Sequence, residues 1–219
     1  GVDGLLAAGR RPLTVIETST LALEDRWRTH DVAADAGVVL LDCPISGTAQ
    51  QALDRDVVVF ASGDLDAIED CRAVFEVIAR EHVVLGTFGT GSTMKYLANH
   101  LVVVHTAAAA EAIVLGIRAG LDPGLVVDTL TAGAGNSRML EVRGPLIAAD
   151  TDEPVHMSAD LFTKDLAVIA AFAEAVGGRV PLLETSAALH RDMMTRGLGH
   201  LDLAAIRRVL DGSTDDHGR

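Results

Sequence analysis

Along the first 86 positions the apolar residues come in short, nearly unbroken runs. Residues 13–18 (LTVIET), 38–44 (VVLLDCP), 56–63 (DVVVFASG) and 82–86 (HVVLG) are rich in β-branched side chains and read as strands. Runs this solid are expected to be covered on both faces, as in a sheet flanked by helices. Between them, residues 21–36 and 64–80 carry the helical period, the second with Asp64 as its N-cap.

From about residue 90 the strand pattern disappears. One long helical pattern runs from Thr90 to Ala119 and stops at Gly120, a residue suited to a C-terminal cap. A further helix opens at Asp122 as N-cap with Pro123 in its first turn. More helices are predicted at 136–148, 159–177, 181–196 and 202–210, before a polar tail expected to fray. The pattern is a small α/β piece followed by an all-helical domain.

Composition narrows the packing. Hydrophobic residues make up 49% of the 219 and aromatics only 3%, so Ala, Val, Leu and Ile must fill the core, which suits closely packed helices. The longest apolar stretch, 101–117, is interrupted by His105, Thr106 and Glu111 and reads as a buried helix rather than a membrane span. No basic flank and apolar block mark a secretory leader. Cys43 and Cys71 form neither a disulfide framework nor a metal-ligand spacing, and a reducing cytoplasm fits. A formal net charge of −13 repels phosphate backbones, so nucleic acid is not an expected partner, and with no uninterrupted spanning run neither is a membrane. No metal cluster is expected among the histidines, and no serine nucleophile elbow is present.

Basic residues are more telling. Of 18 Lys plus Arg, only Lys95 and Lys164 are lysines. Arginine keeps its proton in a protein, whereas a lysine can be tuned to give it up. Taken alone, the two lysines fit a compositional bias as well as a function.

Lys95 follows the segment GTGSTM (89–94), which has the look of a dinucleotide-binding turn. Such a turn needs a third glycine, and Met94 stands there; it also needs a return to a strand within about thirty residues. Here more helix follows, so the segment is expected not to cradle phosphate. Lys95 and Asn99 are four residues apart and share a helix face. Spacing alone leaves open a polar patch at a helix start or a pair facing a cleft. Glu111 falls about 160° round the helix from Lys95 and reads as a structural anion facing the helical domain.

Four segments resemble the β-hydroxyacid dehydrogenases, relatives of 6-phosphogluconate dehydrogenase. ETST (17–20) is similar to the family's Ser-Thr near the nicotinamide ribose. DCPISGT (42–48) resembles the substrate loop Asp-x-Pro-Val-Ser-Gly-Gly. GTGSTMKYLANH (89–100) resembles Gly-x-Gly-x-x-x-Lys-x-x-x-Asn, and FTKDLAV (162–168) resembles the Lys-Asp-Leu segment. Both lysines of the chain fall on the family's functional lysines.

The resemblance implies an NAD(P)-dependent interconversion of a small 3-hydroxyacid and its semialdehyde or keto acid. It makes Lys95 and Asn99 catalytic, assigns Ser46, Gly47 and Thr48 with its amide to the substrate carboxylate, and assigns Thr20, Lys164 and Asp165 to NAD or NADP. Shielding and a positive nicotinamide ring would bring the Lys95 amine towards releasing its proton at working pH, and its ammonium could protonate a developing alkoxide. Residues 1–88 would be the C-terminal part of a Rossmann-like NAD(P)-binding domain, 89–212 an all-helical substrate and dimerisation domain, and 213–219 a flexible tail. A homodimer or homotetramer through the helical domain is implied.

Two departures stand out. Thr48 replaces a glycine of the substrate loop, where its side chain would narrow the pocket or add a donor, and His100 replaces an asparagine. The family's opening strand and Gly-x-Gly-x-x-Gly turn do not precede Gly1, so a fragment of such an enzyme is expected. The alternative is a non-catalytic, dehydrogenase-like dimeric interaction module; imine reduction on a related scaffold fits less well with a lysine at 95.

Overall fold

The computed structural model describes Gly4, Leu6 and residues 12–212; the tail expected at 213–219 lies outside them. The chain forms two compact units, Gly1–Ala98 and Asn99–Arg219, ten residues beyond the expected 88/89 boundary and inside the long helix.

The first unit runs β1 (Leu13–Glu17), α1 (Leu23–Asp35), β2 (Val38–Asp42), β3 (Ile45–Ser46), α2 (Ala49–Leu53), β4 (Val58–Ala61), α3 (Leu65–Asp70), α4 (Arg72–Ile78) and β5 (Glu81–Val84). β1 and β2 pair in parallel, Leu13 opposite Val38 and Glu17 opposite Asp42, with α1 as the crossover. β4 pairs antiparallel with β3 and parallel with β5. A bridge between Asp42 and Ser62 joins the end of β2 to the end of β4.

Alternation along β2 serves two cores. Leu41 packs with Val57, Val59, Ile68 and Phe75, while Val38 and Leu40 pack with Ala33 and Phe88. Coverage of both strand faces is incomplete among the described residues, since Val39 and Val84 are 38% and 48% exposed. The helix expected over 64–80 is two helices. At Cys71 the amide is shared between the carbonyls of Ala67 and Ile68, each at 3.1 Å, a tightened turn that re-aims the chain. Asp64 caps α3 as expected, accepting from the Ala67 amide at 2.8 Å.

α5 (Thr90–Arg118) begins in the first unit and continues into the second. Gly120 ends it at φ +86°, with the Leu121 amide bonded back to the Gly116 carbonyl at 3.0 Å. By length and mean hydropathy α5 could cross a membrane. Within the second unit, however, Val103, Ala107, Ala110, Ile113 and Val114 pack inside at helical spacing. Glu111 is exposed, so it does not face the helical core as its position suggested.

The second unit continues with α6 (Pro123–Thr131), α7 (Arg138–Ala149), α8 (Ala159–Ala175), α9 (Pro181–Thr195) and α10 (Ile206–Asp211). The segment expected as one helix over 202–210 is a single 3-10 turn at Leu203–Ala205 followed by α10. Asp202 explains the change, because its carboxylate caps that turn at the Ala204 amide (2.9 Å) and pairs with buried Arg143 (3.0 Å).

Candidate active site

The start of α5 answers whether GTGSTM holds a phosphate. Its amides are already occupied by the protein's own groups. Ser92 donates from its amide to Asp42 Oδ2 at 2.8 Å and from its hydroxyl to Asp42 Oδ1 at 2.7 Å. The Gly91 amide donates to Ser62 Oγ at 3.0 Å, and Ser62 Oγ donates in turn to Asp42 Oδ2 at 3.1 Å. Asp42 is fully buried. The helix N-terminus, a natural anion seat, therefore holds an internal carboxylate. Gly91 is needed for contact: a Cβ there would lie 2.4 Å from the Phe60 carbonyl oxygen and 2.6 Å from that of Asp42.

Arg26 was not legible as a site residue. Its side chain is fully buried, its Nε is 3.3 Å from Asp42 Oδ1, its Nη1 is 3.7 Å from Glu17 Oε1, and it donates to the Ser19 carbonyl. The signal that could have found it is its place on the inward stripe of α1, with Leu23, His30 and Ala33. Burial pushes the Glu17 carboxyl up, but hydrogen bonds from Ser19 and the Arg26 charge outweigh it and hold the carboxyl below its ordinary value. The Tyr96 hydroxyl donates to the Leu21 carbonyl. Thr20 thus sits between two pinned residues, three positions past the carboxyl end of β1, half-buried. In this unit the segments around Thr20, Asp42 and Lys95 are tied together. Lys95 is half-buried in the second turn of α5.

In the segment DCPISGT, Ser46 ends β3 and Gly47 has φ +144°. A Cβ at Gly47 would stand 2.5 Å from Val57 Cγ1, so a side chain is excluded by crowding as well as by conformation. Thr48 caps α2. Its hydroxyl accepts from the Gln51 amide at 3.2 Å, and its own amide donates to Gln51 Oε1 at 3.0 Å. This capping box was visible in the sequence as Thr-x-x-Gln. Both polar groups that the resemblance turned towards substrate are used here for the helix start.

In the second unit, Asn99 and Asp165 meet. Asn99 Nδ2 donates to Asp165 Oδ2 at 2.9 Å, with both residues buried. Lys164 Nζ is 3.4 Å from Asp165 Oδ1, and the Lys164 side chain is 58% exposed. Two surface hollows, one beside α1 and one between α8 and α9, are lined by none of the expected site residues. Among the described residues no three His, Cys, Asp or Glu are grouped as metal ligands.

A family model described as the NAD binding domain of 6-phosphogluconate dehydrogenase matches residues 1–86. Another, described as NAD-binding of NADP-dependent 3-hydroxyisobutyrate dehydrogenase, matches residues 89–210, more than half the chain. The chain belongs to the β-hydroxyacid dehydrogenase family. An L-threonate dehydrogenase from Escherichia coli is 35% identical over 201 residues, covering 91% of this chain and 66% of that protein. The chain therefore spans just under two thirds of that protein's length. The crystal structure of 3-hydroxyisobutyrate dehydrogenase from Salmonella typhimurium superposes with a TM-score of 0.83 at 31% identity, over 90% of this chain and 69% of that one. A 3-hydroxyisobutyrate dehydrogenase from Mycobacterium tuberculosis, solved with L-serine, gives 0.82 at 27% identity, over 94% and 72%.

Proposed function

We propose that the protein is an NAD(P)-dependent oxidoreductase that interconverts a small 3-hydroxyacid and its semialdehyde or keto acid, with Lys95 as general acid/base. The observation that carries this reading is the anchoring of α5: Asp42, Ser62 and Ser92 fix the helix start, and Lys95 stands one turn further on. The names of the relatives, L-threonate and 3-hydroxyisobutyrate dehydrogenases, support the substrate class.

NAD or NADP fits the residues present in one respect. Thr20 lies three positions past the carboxyl end of a parallel strand, where open α/β sheets receive nucleotides, and exposed Lys164 offers a cation for a phosphate or ribose. The start of α5 is not available to the pyrophosphate, because Asp42 fills it. The bound nicotinamide would exchange hydride with the substrate carbon. Lys95 would take the hydroxyl proton in oxidation and return it in reduction, which arginine cannot do. Ser46 and the backbone at Gly47 would hold the carboxylate, and Asn99 would orient the reacting alcohol. Exposed Leu101, Leu115, Leu121 and Leu125 in the second unit support a homodimer or homotetramer formed there, and free Cys43 and Cys71 support a reducing, cytoplasmic setting.

The test is a panel of small hydroxyacids with NAD⁺ and NADP⁺, followed by nicotinamide absorbance. Turnover of at least one 3-hydroxyacid is expected, and Lys95→Ala should lower kcat by about 10³-fold while nicotinamide binding persists. An active Lys95→Ala variant would refute the mechanism.

A further inference from the structure

We propose that Asp165 is a positioning residue that sets the orientation of the Asn99 carboxamide, and not a ligand of the cofactor. This rests on the hydroxyacid dehydrogenase reading of the same site. An asparagine side chain has two ends of nearly equal size and opposite hydrogen-bonding character, so a role that uses one end needs the other to be held. Asp165 supplies that hold. An ionised carboxylate only accepts, so it tolerates the N–H end of the amide and turns the Asn99 oxygen away. The bond is 2.9 Å, between side chains of residues 5% and 7% exposed. The amide oxygen is thereby left as the acceptor for a substrate hydroxyl or an ammonium.

The seat of Asp165 is buried. It lies on the inward stripe of α8 with Phe162, Leu166 and Ile169, all buried. Its second oxygen, Oδ1, is shut off from solvent, has no hydrogen-bond partner among the described residues, and lies 3.4 Å from the Lys164 ammonium. A cofactor would find Oδ1 without exposed surface and Oδ2 already accepting from the Asn99 amide. Asp165 therefore acts through its two neighbours, holding the amide with one oxygen and Lys164 with the other.

A double-mutant cycle in the purified protein tests this. Asp165→Ala and Asn99→Ala should each lower kcat about tenfold to hundredfold, with the double variant no worse than Asn99→Ala alone. Kd for NADPH, read by nicotinamide fluorescence, should change less than about threefold in Asp165→Ala, the exposed Lys164 keeping its reach. Asp165→Asn, whose amide oxygen can accept the same bond, should recover most of kcat; it also serves if Asp165→Ala fails to fold. Losses that multiply, or a weakened Kd at unchanged kcat, would overturn the proposal. If no hydroxyacid is turned over, the proposed activity fails on its own. The same cycle read by thermal unfolding must then still show coupling between 99 and 165, and its absence sinks the positioning role too.

Discussion

Among the described residues each unit contains one buried Arg–Asp pair, and the two are built differently. In the second unit Asp202 is saturated: it takes Arg143 Nε at 3.0 Å and the amides of His156, Met157 and Ala204 at 2.9 Å each. That pair staples loops to α7 and touches none of the proposed site residues. In the first unit Asp42 is equally well bonded by Ser92 and Ser62, but Arg26 is not. Its Nε and Nη1 are buried without a hydrogen-bond partner among the described residues, and charge alone relates them to Asp42 and Glu17. A saturated pair locks a fold. An arginine shared between Ser19, Glu17 and Asp42 trades bond quality for reach, and it ties together the segments that carry Thr20 and Lys95.

Removing either arginine leaves a buried carboxylate without its counter-charge, so Arg143→Met and Arg26→Met should each cost about 3–5 kcal/mol in chemical denaturation. The comparison is sharpened by kcat of the folded fraction: Arg143→Met should keep it and Arg26→Met should lose it. Equal effects on kcat would break the contrast. Gly91→Ala comes next, because its methyl must displace backbone; about 1–3 kcal/mol and a fall in kcat are expected, against little change in kcat for an alanine at exposed Gly178.

A smaller effect separates the units by pH. Burial holds the His190 imidazole below its ordinary value, outweighing the pull of Asp160 and of the Ala159 backbone. The folded state therefore resists the proton that the unfolded chain accepts, and stability falls as pH drops through the ordinary histidine range towards the lowered value. His190 should contribute at most about 1.4 kcal/mol per pH unit to the slope of stability there, a contribution lost in His190→Gln. The smallest effect is chemical. Cys43 is fully buried and its thiol is pushed up to about 12, mainly by burial, so in the native protein an alkylating reagent at about pH 8 should reach half-buried Cys71 first and leave Cys43 intact.

Much of the fold was legible. The four long strands, the caps Asp64 and Asp122 and the stop at Gly120 follow from local periodicity and local hydrogen bonding, and these act within a few residues. What escaped depends on distance in sequence. The partition of α3 from α4, the 3-10 turn after Asp202 and the capping of α5 by Asp42, fifty residues away, come from tertiary contacts. Arg26 and Arg143 occupy core positions on amphipathic stripes, so the anomaly was visible while the partner was not. For the site, the motifs named Lys95, Asn99, Ser46 and Gly47, but they gave Thr48 a pocket role where a capping box now accounts for its hydroxyl and amide.

The central claim is proton transfer by Lys95, as distinct from its charge. Lys95→Arg keeps the charge and removes the ability to exchange a proton. Its kcat for the best hydroxyacid should fall as far as that of Lys95→Ala, with NADPH fluorescence titrating as in the parent protein. A Lys95→Arg protein that turns over at near-parental rates would contradict the account, leaving the residue a role in binding charge only.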